Sequence, residues 1–126
     1  KLLVPGTDWA EYHTEVGKLM TSELIDLKLL DKSDIQQQSK DKPAYKKYFM
    51  HGTSHHMGLD THDYGLLEEP MEENTVFTVE PGIYLPTEGF GIRLEDDVVI
   101  QQTGAPFNLM RNIPILADEI EDLMNS

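Results

Sequence analysis

The stretch VFTVEPGIYLPTEGFGIRLEDDVVIQQ, residues 76–102, decides the fold. Two apolar runs rich in valine, isoleucine and aromatic residues, 76–85 and 90–102, flank Pro86-Thr87-Glu88-Gly89, the pattern of two antiparallel strands joined by a tight loop. Side chains at i and i+2 share a face, so Phe77 and Val79 lie on one side and Thr78 and Glu80 on the other. In the second strand Ile92 and Leu94 face one way, Arg93 and Glu95 the other. A hairpin symmetric about Thr87-Glu88 sets Glu80 directly opposite Glu95, with Cβ atoms roughly 4.5–5.5 Å apart. Two like charges at that separation are destabilising unless a positive group stands between them. A divalent cation, or a pair of them, supplies that charge. Arg93, on the same face, offers a counter-charge or a hold on a carbonyl or carboxylate. The plain alternative makes both glutamates solvated residues on a wet sheet face, with Arg93 as an ordinary partner. Asp96-Asp97 and a nearby group of histidines count against it.

Those histidines lie in His51-Gly-Thr-Ser-His55-His56-Met-Gly-Leu-Asp-Thr-His62-Asp63, which holds four of the five in the chain. His51 and His55 are four apart, but Gly52, Thr53 and Ser54 make a helical zinc motif improbable. Gly52 and Gly58 point instead to extended or sharply bent backbone that lets side chains approach a site closely. A lone histidine is usually structural. Four together on an acidic chain fit one metal ligand plus groups that bond to substrate or move protons near neutral pH. His13 reads as structural, and Trp9, Met57 and Leu59 as core.

Upstream, Pro5-Gly6-Thr7-Asp8 reads as a turn and helix cap. Trp9, Tyr12, Val16 and Leu19 or Met20 recur at helical spacing. A second helical stretch is expected over 22–30, an exposed polar connector over 32–47, and a short apolar strand at 48–50 that delivers His51. Residues 68–74 and 103–106 read as turns. Pro114 at a first helical position, with Ile115, Ile120 and Leu123, predicts a short C-terminal amphipathic helix. Helices followed by strands give an α+β class, an antiparallel sheet covered on one face.

Composition bounds the function. The 126 residues suffice for one domain with a real core. A formal charge of −13 disfavours nucleic acid, which needs a Lys/Arg surplus. With no cysteine, a metal site must use nitrogen and oxygen ligands. No signal-peptide core and no apolar run of transmembrane length is found, so no membrane partner and a cytoplasmic location are expected.

Taken together, HGTSHHMGLDTHD, TVEPGIY and GIRLEDDVVI resemble, in order, the pita-bread metallopeptidases, above all Xaa-Pro aminopeptidase and its relative prolidase. The resemblance runs from Pro5-Gly6 to Glu119, and Asn108 to Pro114 is similar to the bacterial aminopeptidase branch. It implies that His55, Glu80 and Glu95 are metal ligands, Glu95 bridging two ions, commonly manganese with zinc or cobalt as alternatives. It implies that His51 and His62 contact substrate and assist proton transfer, and that Arg93 lies near bound substrate. His56 sits where the family tolerates aromatic residues and receives no role. The implied substrate is a peptide with proline second. Its tertiary amide carries no hydrogen to donate, so selectivity rests on a pocket shaped for the ring.

The family site also needs two aspartates, placed by the resemblance upstream of the first helix. The chain is therefore expected to be the C-terminal part of a catalytic domain, inactive alone, and to associate with itself or with the missing half. Rivals are prolidase, other enzymes of the same fold, a non-catalytic pita-bread binding module, or simply a soluble α+β domain with an acidic face.

Overall fold

The computed structural model describes residues 2–126. Helix α1 (Trp9–Asp26) is capped by Asp8, whose carboxylate accepts the amides of Ala10 and Glu11 at 2.8 and 3.0 Å. Its stripe of Trp9, Tyr12, Val16, Met20 and Leu24 is buried, while Leu19 faces solvent. No glycine bend or proline interrupts 22–26, so the expected second helix is the last turns of α1. The helix stops at Lys28, which takes a left-handed φ of 60°, and the amides of Leu29 and Leu30 turn back to the Leu24 carbonyl.

The polar connector carries more structure than expected. A short helix α2 (Lys32–Gln37) closes on a capping box between Asp31 and Asp34, and a 3₁₀ turn follows (Ala44–Lys47). The predicted strand at 48–50 does not form. The amides of Tyr48 and Phe49 are both spent on the Tyr45 carbonyl, and Phe49 plugs the core.

The hairpin register expected about Thr87-Glu88 holds along its whole length. β1 (Val76–Val79) pairs with β4 (Asp96–Val99), Val79 against Asp96, and β2 (Gly82–Leu85) pairs with β3 (Phe90–Arg93), Gly82 against Arg93. Each expected strand is thus split in two, with Glu80-Pro81 opposite Leu94-Glu95 at the break. Pro81 has no amide to donate to the opposite strand, so pairing there is left to the Leu94 amide, which donates to the Pro81 carbonyl at 3.2 Å. Gly89 closes the loop at a φ of +74°, a conformation costly for other residues. An unforeseen strand β5 (Phe107–Asn108) extends the larger sheet to the order β1-β4-β5.

The core lies between α1 and one face of β1 and β4. Trp9, Tyr12, Val16, Met20, Phe49, Met71, Phe77, Val98 and Ile100 form one cluster. Phe77, fully buried, meets Trp9 edge-on at 5.0 Å. The C-terminal helix α3 (Ala117–Met124) begins three residues beyond Pro114, with Leu116 at the cap position and no side-chain cap, and is exposed throughout. Among the described residues, no helix is long and apolar enough to cross a membrane.

Candidate metal centre

The histidine segment reaches the sheet by backbone pairing. The amides of Met57, Thr78 and Glu80 bond to the carbonyls of Val76, His55 and Thr53 at 3.2, 3.1 and 2.8 Å, and His56 bridges antiparallel to Phe77. Residues 53–57 therefore run along the free edge of β1 as an irregular extra strand, in constant register. His55 falls opposite Thr78, on the face that carries Glu80, and Glu95 approaches that face from the other side. The odd-numbered face, Phe77 and Val79, goes to the core. One alternation serves both purposes.

The side chains converge accordingly. One ligand atom each from His55, Glu80 and Glu95 lies within 4.8 Å of the others. His55 Nε2 is 3.4 Å from Glu80 Oε1, and the Arg93 guanidinium reaches Glu80 Oε2 and Glu95 Oε2, both at 3.4 Å. The His55 Nδ1 nitrogen is 2.9 Å from the His56 carbonyl. Since a carbonyl only accepts, Nδ1 carries a proton, and Nε2 is the ring nitrogen turned toward the carboxylates.

This donor set fits a divalent cation. Bonds of about 2.0–2.2 Å hold opposing ligand atoms at most about 4.4 Å apart, so the observed spread closes with a sub-ångström shift. One imidazole nitrogen and two carboxylates, with no thiolate, suit manganese, zinc or cobalt more than soft ions. Arg93 supplies positive charge between the two glutamates, but its planar guanidinium leaves every contact slack.

His62 packs against this group. Its ring meets that of His55 edge-to-face at a centroid separation of 4.1 Å. The loop that brings it there is tied by Asp63, whose carboxylate accepts the amides of Leu59 and Tyr64, each at 2.8 Å. His51 stands apart from these contacts. Its Nδ1 is 2.7 Å from the Gly52 carbonyl, which makes Nε2 the acceptor of the Tyr84 hydroxyl at 2.8 Å. Tyr84 is the site neighbour that residue-type reasoning passed over. The glycines on either side of it in space were the available signal: its ring lies across Gly82 and its cross-strand partner Gly91, where a Cβ would come within 2.9 and 2.5 Å.

Two further histidines are structural. His13 stacks on Trp9 at 5.6 Å, and burial, helped by the Lys46 charge, holds its pKa below the usual range. His56 lies against Trp9 and Phe77 with its Nε2 buried and unpaired, and burial lowers its pKa as well.

The chain is 39% identical over 98% of its length to Xaa-Pro aminopeptidase of Escherichia coli, and 35% identical over 99% to that of Haemophilus influenzae. It spans about 30% of the length of these relatives. The solved aminopeptidase PepP of Pseudomonas aeruginosa superposes with a TM-score of 0.78 at 34% identity, over 98% of this chain and 30% of that one. The pita-bread fold expected from the motifs is the fold of these neighbours. The profile of metallopeptidase family M24 matches residues 1–102, and on that match the chain belongs to metallopeptidase family M24.

Proposed function

We propose that this chain is the C-terminal part of the catalytic domain of a two-metal Xaa-Pro aminopeptidase. The observation that carries the reading is the convergence of His55, Glu80 and Glu95 within 4.8 Å. The names of the relatives supply the substrate class: a peptide with proline in second position. His55 Nε2, Glu80 and Glu95 would hold metal, with two upstream aspartates completing the set. When bound, the ions supply a water of lowered pKa and a Lewis acid for the scissile carbonyl.

The remaining residues divide the other tasks. His62, against His55 and open to solvent, is placed to exchange a proton with the departing amine of proline. His51, held by Tyr84 with its acceptor nitrogen defined, orients substrate. Arg93 balances the carboxylates and holds a substrate oxygen. A protein of this kind needs no nucleic acid and no membrane, and a cytoplasmic location fits the bacterial relatives.

Alone, the 126-residue chain offers three ligands and is expected not to hydrolyse peptides. The test compares it with the complete polypeptide. Manganese titration of the complete polypeptide should saturate at two ions and lose affinity in Glu95→Ala, and the loaded protein should release the first residue from a Xaa-Pro tripeptide. No metal uptake by the complete polypeptide sinks the reading. Cleavage confined to Xaa-Pro dipeptides converts it to prolidase.

A further inference from the structure

Thr78 carries the only hydroxyl on β1 and is almost fully buried, at 1% exposure. A hydroxyl taken out of water without a partner is destabilising, so a buried threonine needs partners for its oxygen and its proton. Its Oγ1 accepts the His55 amide at 3.1 Å. That leaves its single proton for Glu80 Oε1, 3.4 Å away. The Thr78 amide in turn donates to the His55 carbonyl at 3.1 Å. One threonine thus holds both the amide and the carbonyl of His55 and reaches the glutamate two residues on.

The consequence concerns the two oxygens of Glu80. Oε1 takes the Thr78 hydroxyl and faces His55 Nε2, whereas Oε2 faces Arg93. Rotation of the carboxylate about its last bond would exchange them, and the hydroxyl is the group that distinguishes one from the other from inside the protein. His55 and Glu80 come from segments 25 positions apart in the chain. Thr78 is the side chain that bonds to both.

We propose that Thr78 is a positioning residue for the metal centre: its hydroxyl fixes the Glu80 carboxylate relative to His55 and so sets metal affinity without touching the ion. The inference rests on the metal reading of the site. Hydrogen bonds from behind a ligand commonly govern affinity in this way.

The test uses the complete polypeptide and three variants. Thr78→Ser keeps the hydroxyl, Thr78→Val keeps the shape without it, and Thr78→Ala stands in if the valine variant does not fold. Manganese affinity is measured by competition with a chelator, and the thermal midpoint of the metal-free protein is measured beside it. Thr78→Val should bind manganese about 10–100-fold more weakly, and Thr78→Ser should restore affinity to within about threefold of the parent. A lowered metal-free midpoint with unchanged affinity would assign Thr78 to folding alone and overturn the proposal. Equal losses in Thr78→Ser and Thr78→Val would overturn it too. A parent that binds no divalent ion removes the metal reading and this inference together, whereas a parent that binds normally beside an unaffected Thr78→Val removes only the inference.

Discussion

A divalent cation at the proposed centre would compete with Arg93 for the same two carboxylates, and Arg93→Gln should expose that competition. The guanidinium lies 3.4 Å from both Glu80 and Glu95, with about half of its side chain (48%) exposed. Exposed ion pairs contribute about 0.2–1 kcal/mol each. Two of them at the middle of that range give about 1 kcal/mol of stabilisation that a cation entering between the glutamates must first give up. Removing the guanidinium should therefore cost the metal-free protein about 1 kcal/mol and tighten the first manganese by about fivefold, since 1.4 kcal/mol is a factor of ten. Denaturant titration without metal reads the first quantity and calorimetric manganese titration the second. Both should shrink as salt rises from 0.1 to 1 M, because the screening length falls from about 10 to 3 Å. Unchanged or weaker manganese binding in Arg93→Gln, with stability lowered as expected, would refute the idea that the guanidinium holds the place of a cation.

Three further outcomes follow from the fold. Phe77→Ala should cost about 3–5 kcal/mol, a large part of the total for a domain of this size, read as an early denaturation midpoint. Asp8→Ala removes the acceptor for two α1 amides and should cost about 1 kcal/mol by the same measurement. Acid should weaken the protein in the range set by its half-buried imidazoles. His13 and His56 titrate below their ordinary 6.5 when folded, so between the folded and unfolded pKa values the unfolded chain binds more protons. Their contribution is full above pH 6.5 and is lost as pH falls toward the folded values. His56→Phe, which removes a buried unpaired nitrogen, should flatten that acid-side loss in denaturation midpoints taken from pH 7.5 to 5.

The sequence by itself determined the hairpin. Period-two alternation and a loop centred on Thr87-Glu88 put Glu80 across from Glu95, because a strand leaves only two faces and the core claims Phe77 and Val79. The cap at Asp8 and the buried stripe of α1 were equally legible, since both are written within a few neighbouring residues. Where strands break and how loops spend their amides was not. The Glu80 amide pairs with Thr53 along the outer edge of β1, Tyr48 and Phe49 give theirs to Tyr45, and α1 runs on past Ser22 to a left-handed Lys28. Those outcomes depend on partners distant in the chain, or on the sum of many weak preferences.

The site shows the same division. Residue types and motifs singled out His55, Glu80 and Glu95, but only the tertiary structure decided how they meet: an irregular strand at 53–57 laid along β1. It also decided where each histidine lies, packing His56 against Trp9 and His62 on His55 and handing His51 to Tyr84. The physical reason is range. Alternation and capping act over one to four residues, whereas the space shared by an imidazole and two carboxylates is set by which chain segments share backbone hydrogen bonds.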